Sequence, residues 1–80
     1  MGETSRLRWL CRRGMKELDA LLTGYLDSRY ADAPATERAA FARLLDLQDP
    51  ELYALLTGRT DTEDPALADI VARIRRTADH

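Results

Sequence analysis

The groups in this chain suited to covalent or acid–base chemistry are one thiol, Cys11, one imidazole, His80, and fourteen carboxylates. A nucleophilic cysteine needs a nearby histidine or a helix N-terminus to lower its pKa. Cys11 instead falls toward the end of a short Leu7, Leu10, Cys11 stripe, and the histidine is the last residue, so Cys11 reads as a buried structural thiol. Zinc needs ligands in spaced pairs, which the sequence does not offer. The glycines, Gly2, Gly14, Gly24 and Gly58, are scattered and form no phosphate-cradling loop. No carboxylate stands at a position that reads as buried, so no acid–base pair is assigned. The chain is expected not to be an enzyme in its own right.

What remains is binding. The stretch RLRWLCRRGMKELD, residues 6–19, gathers arginines around the only tryptophan, Trp9, and sets Arg13 and Glu17 on either side of Gly14. Two readings stand side by side. In one, Gly14 is the hinge between two helices, supplying a positive φ at no Cβ cost, and Arg13 and Glu17 pair. That i, i+4 order, arginine first, is the weaker one, worth about 0.2–0.5 kcal/mol, so stability gives little reason to gather these charges. In the other, the stretch is a docking surface. Trp9 lies off the apolar stripe and is expected to be partly exposed, and tryptophan and arginine are enriched in binding hot spots. Gly14 lets a partner backbone approach, and the planar fork of Arg13 suits a carboxylate or carbonyl.

The elements that must position this stretch all read as helix. Leu7, Leu10 and Cys11 make a first short face, after which Gly14 is expected at C′ in a left-handed conformation. Met15, Leu18, Leu22, Tyr25 and Leu26 continue one stripe for about three turns, with Glu17 and Asp19 at the favourable end of the dipole. Ala40, Phe41, Leu44 and Leu45 mark a third helix, whose start is either Pro34 as N1 or Thr36 as N-cap. Asp49-Pro50 and Asp64-Pro65 each predict a capping carboxylate followed by proline at N1. The helix after the first carries Leu52, Leu55 and Leu56 and ends at Gly58. The helix after the second carries Leu67, Ile70, Val71 and Ile74. No segment alternates with period two. The expected fold is all-α, a compact five-helix bundle in a single domain over residues 1–80, with flexible ends at about 1–4 and 77–80.

Charge and composition exclude other classes. With 12 basic and 14 acidic residues the net charge is −2, whereas nucleic-acid binding needs a basic footprint. Helices three and four meet at a tight turn, but a recognition helix beginning Asp49-Pro50-Glu51 would set carboxylates against phosphates. The basic residues cluster in 1–17, and 46–64 is acidic apart from Arg59, which suits an oriented docking surface. No apolar run approaches the ~18 residues of a membrane span. A lone cysteine and no secretory h-region lead to the expectation of a cytoplasmic protein, and a monomer.

The stretch 6–19 resembles the signature of the small FAD assembly factors of succinate dehydrogenase, which carry RGxxE within a longer pattern. Arg6, Trp9, Arg12, Arg13, Gly14, Met15, Glu17, Leu18 and Asp19 match it. The later RLLDLQDPELYALLTG is also similar, with Asp49, Pro50 and Leu52 in place and Leu55 where relatives often have tryptophan. The resemblance implies a five-helix bundle. It also implies binding to the flavoprotein subunit of succinate dehydrogenase, or of fumarate reductase, to promote covalent FAD attachment there, with no cofactor held stably by this chain. It places partner binding on Arg6, Trp9, Arg12, Arg13, Gly14, Met15, Glu17 and Asp19. The alternative is a regulatory interaction module such as an antitoxin.

Overall fold

A computed structural model describes residues 2–78. Five α-helices occur among them: α1 (Glu3–Leu10), α2 (Lys16–Ser28), α3 (Ala35–Leu44), α4 (Asp49–Leu56) and α5 (Pro65–Ala78), with a 3₁₀ turn at Tyr30–Asp32 and no strand. The all-α bundle is therefore as expected. Of the ends expected to be flexible, residues 3–4 lie in α1 and 77–78 in α5. Met1, Asp79 and His80 lie outside the described residues.

The helices form because each has one apolar stripe that α2 and α5 can cover. α5 packs chiefly on α2 and α3. Leu18, Leu22 and Tyr25 from α2, Phe41 and Leu44 from α3, Leu52 from α4, and Ile70 and Ile74 from α5 are all shut from solvent. The Phe41 ring sits at the centre, 4.8 Å from Tyr25 and 5.7 Å from Tyr30, both tilted, a geometry favourable to aromatic pairs. Leu55 is buried too, but it borders two shallow grooves beside Thr60, Asp61 and Thr62, where a larger side chain would find room.

Helix ends follow the sequence in two cases and depart from it in three. Asp64 caps α5, its Oδ1 accepting from Ala66 N at 2.9 Å and Leu67 N at 3.4 Å, and the neighbouring Arg43 guanidinium holds its carboxyl below the usual range. Gly58, at φ +78°, ends α4 in a Schellman turn: Arg59 N donates to Ala54 O at 2.8 Å and Gly58 N to Leu55 O at 3.3 Å. Asp49, expected as the matching cap of α4, makes no capping bond, because its carboxylate turns to Arg13 instead. α3 starts at Ala35 with Pro34 itself as N-cap, so neither expected start holds. Gly14 is not at C′: α1 closes at Leu10 with Cys11 in ordinary helical geometry, and Gly14 lies three residues further on.

One buried carboxylate went unrecognised in the sequence. Glu37 on α3 is inside, where the Tyr25 hydroxyl donates to its Oε2 and Arg73 Nε stands 3.4 Å from its Oε1. Arg73 also holds Asp69 at 2.8 Å. Burial, and then the bond to Glu37, push the Tyr25 hydroxyl pKa up. Three helices thus share one polar knot inside the apolar core, which leaves Glu37 compensated.

A second polar tie fixes the connection between α1 and α2. The Arg13 side chain is only 15% exposed. Its Nη1 donates to Leu47 O at 3.1 Å and to Asp49 Oδ1 at 3.2 Å, and its Nη2 donates to Leu45 O. Leu45 and Leu47 lie where α3 has just ended, so Arg13 satisfies carbonyls that the helix itself leaves open. Hydrogen bonds to a charged group contribute about 1.5–3 kcal/mol. Arg13→Met should therefore lower the unfolding free energy by roughly 2–3 kcal/mol, and Arg13→Lys by about half that, because a point charge cannot span three acceptors. Urea titration of the three proteins checks this; an unchanged midpoint for Arg13→Met would refute the tie.

Cys11 allows a pH test. It is fully buried, and burial pushes its thiol up to about 11. The unfolded thiol ionises near ~8.5, so the folded state favours the protonated form. That contribution is complete below about pH 8.5 and is lost as pH rises toward 11. Maleimide labelling at pH 8 should be slow in buffer and fast in denaturant; fast labelling of the folded chain would show the thiol to be open.

Candidate functional site

The elbow between α1 and α2, residues 11–15, presents the stretch that the sequence singled out. Gly14 has φ +82°, in the left-handed region that side chains other than glycine rarely adopt. A Cβ at Gly14 would meet nothing within 4 Å, so the position is constrained by its backbone and not by space. The elbow is fixed from α2. Asp19 reaches back, its Oδ1 accepting from Arg13 N at 2.8 Å and its Oδ2 from Gly14 N at 3.2 Å. One carboxylate at the start of a helix therefore takes up two successive amides, as a bound anion would. The place in this elbow where a phosphate would be cradled is already filled by Asp19.

The eight candidate residues divide in two. Arg13 and Asp19 turn into the fold, Arg13 against the α3–α4 connection and Asp19 against the elbow amides. Arg6, Trp9, Arg12, Gly14, Met15 and Glu17 are on the outside. Trp9 is 70% exposed and Met15 36% exposed, and among the described residues they are the large apolar side chains most open to water. Met15 was expected on the α2 stripe. It is instead the extended N-cap residue, so its side chain leaves the helix face that Leu18 and Leu22 continue. Arg13 and Glu17 do not pair, which removes the reading of them as a local ion pair.

The basic cluster is sorted by its partners. Arg8 is joined to Asp27 on α2 at 2.7 Å, and this bond raises its pKa. Arg13 is taken by Asp49. Among the described residues, Arg6, Arg12, Lys16 and Glu17 make no ion pair. Unpaired charges around an exposed tryptophan and methionine form the kind of surface that buries aromatic anchors inside a polar rim. Glu17 also borders a crevice that α2 shares with the end of α4 and the last turns of α5, lined by Leu21, Leu56, Thr57, Arg75 and Ala78. Arg75 was not picked out in the sequence, since a run of arginines at a helix C-terminus is sufficiently explained by the dipole.

The described residues include no group of three or more histidine, cysteine, aspartate or glutamate side chains placed to hold a metal ion. Among the described residues no helix is long and apolar enough to cross a membrane.

Comparison with known proteins gives a consistent result. The family described as flavinator of succinate dehydrogenase matches residues 5–78. The FAD assembly factor SdhE of Methylococcus capsulatus is 52% identical over 75 residues, covering 94% of this chain and 90% of that protein. The protein of the same name from Shewanella oneidensis is 43% identical over 74 residues, covering 92% and 90%, and that from Xylella fastidiosa strain 9a5c is 42% identical over 73 residues, covering 91% and 75%. With the match running from α1 through α5 and including the whole elbow, this chain belongs to the family of succinate dehydrogenase flavinators.

Proposed function

We propose that this protein docks as a cytoplasmic monomer on the flavoprotein subunit of succinate dehydrogenase, or of the related fumarate reductase, and promotes covalent attachment of FAD within that subunit. The observation that carries this reading is the elbow itself. A left-handed Gly14 is pinned by Asp19, beside an exposed Trp9 and an unpaired Glu17. Trp9, Met15, Gly14 and Glu17 contact the partner, with Arg6 and Arg12 at the rim. Arg13 and Asp19 act by holding the elbow in shape. FAD is the partner's cofactor, and this chain keeps none of its own.

The mechanism is positional. The bond to the flavin forms between groups of the flavoprotein, and this protein holds that subunit in the conformation where its histidine meets the flavin methyl carbon. Alignment of reacting groups alone lowers barriers by several kcal/mol, up to about 7–11 in well-oriented cases, so acceleration needs no catalytic residue here. Trp9 supplies docking energy. Covering most of a side chain of roughly 150–250 Å² at about 25 cal/mol per Å² contributes on the order of 3 kcal/mol.

In-gel fluorescence of covalently bound flavin on the purified subunit tests this. Glu17→Ala should reduce flavinylation at least tenfold and change stability by under about 0.5 kcal/mol, because the residue is exposed. Gly14→Arg should abolish it. Gly14→Asn, which tolerates the left-handed region better, should retain more activity than Gly14→Arg. Wild-type flavinylation by both Glu17→Ala and Gly14→Arg would sink the proposal.

A further inference from the structure

Arg75 stands out once the elbow's other charges are accounted for. It lies about one turn past Val71 on α5, yet it borders the same crevice as Glu17 of α2. The crevice holds about 240 Å³ and is floored by Leu21 and the buried Leu56. The guanidinium lies flat against the turn that ends α4. A Cβ on Gly58 would stand 3.2 Å from Arg75 Nη2 and 3.4 Å from its Cζ, so the absence of a side chain there lets the group settle. Arg75 makes no ion pair among the described residues, and neither does Glu17. Arg75 also borders a second groove beside Asp61, with which it does not pair.

We infer that Glu17 and Arg75 are the two charged jaws of one docking crevice, and that it receives an extended segment of the flavoprotein subunit. This rests on the docking role proposed above and extends the docking surface from the elbow to the α4–α5 side of the bundle. The chemistry of the crevice selects the occupant. A carboxylate on one lip takes backbone amides or a cationic side chain, and a planar fork on the other takes a carbonyl or carboxylate. The apolar floor takes one side chain between them. A stretch of polypeptide carrying donor, apolar group and acceptor in sequence meets all three demands. A role in complementing the α4 dipole asks only for positive charge near the helix end, which lysine supplies as well as arginine.

The test is the dissociation constant of the full chain for the purified apo-flavoprotein subunit, with melting temperatures recorded in parallel. Arg75→Glu should weaken binding at least tenfold while lowering the melting temperature no more than Arg76→Glu does, since both reversals oppose the same helix dipole, and Arg75→Lys should weaken binding measurably. Arg76→Glu, on the other flank of α5 beside Ser28 and Arg29, should bind as wild type. If Arg75→Glu does not fold, Arg75→Gln replaces it with the same expectation. Wild-type binding by the Arg75 variants beside weakened binding by Glu17→Ala would overturn the crevice and leave the elbow reading intact. Loss at Arg75 alone, or equal loss with Arg76→Glu, would also overturn it, the latter showing only a general charge effect. Unimpaired binding by every variant, Glu17→Ala included, would remove both readings.

Discussion

The guanidinium of Arg13 joins three parts of the chain: the α1–α2 elbow, the carbonyls just past α3, and the first turn of α4. Elbow geometry depends on this contact. With Arg13 anchored from one side and Asp19 gripping the amides of Arg13 and Gly14 from the other, residues 12–15 have little freedom left. Glycine's own preference would not achieve this, because glycine visits left-handed and right-handed backbone about equally. What makes φ +82° the single conformation is the pair of charged side chains on either side of it. The order RGMKELD therefore works as a unit: Arg13 anchors, Gly14 turns, Asp19 locks, and Glu17 is left facing outward.

A domain of this size has few ways to hold a surface stiff. It buries only a little over ~60% of its unfolded surface, so apolar packing leaves a modest margin. The bundle adds two polar ties. Glu37, Tyr25 and Arg73 bind α2, α3 and α5 to one another in the core, and Arg13 binds the elbow to the α3–α4 connection. Each is a buried or half-buried charge held by more than one partner, although Arg13 Nε is buried without one, and such an arrangement costs most when one member is removed. Such ties specify geometry more than they add stability. That suits the docking role proposed above, in which the exposed side has to keep its shape.

The helices were legible in the sequence because each has a stripe with a spacing of three and four residues, and stripes survive any tertiary arrangement that buries them. Gly58 and Asp64 were legible for a similar reason, since a Schellman glycine and a capping aspartate act within a few residues of themselves. Asp49 carries the same local signal as Asp64 but is not a cap, because a residue 36 positions earlier in the chain competes for its carboxylate. Met15 fits the α2 spacing and leaves the stripe, because the elbow holds it extended at the N-cap. Glu37 looks like any helical glutamate until Tyr25 and Arg73 close over it. In each of these cases the deciding partner is distant in sequence, and periodicity carries no information about it. The candidate site divides along the same line. That Trp9 and Glu17 are exposed follows from local pattern, whereas the inward turn of Arg13 does not.

A motif shared across a family is easily read as a list of contacts, and this fold shows why that reading is incomplete. Arg13 is as much a part of the RGxxE signature as Glu17, yet its side chain is 15% exposed and engaged by two carbonyls and a carboxylate. The two residues sit differently in the fold: Arg13 is turned inward and held, whereas Glu17 is exposed and, among the described residues, makes no ion pair. The two kinds of residue part company under conservative change. Lysine for Arg13 preserves charge and loses the fork, so its effect passes through the shape of the elbow. Removal of the Glu17 carboxylate leaves the elbow as it is and takes away only what a partner would meet. The docking role proposed above would depend on both, since a surface that recognises its client loosely cannot hold the client's reacting groups within the fraction of an ångström that orientation requires.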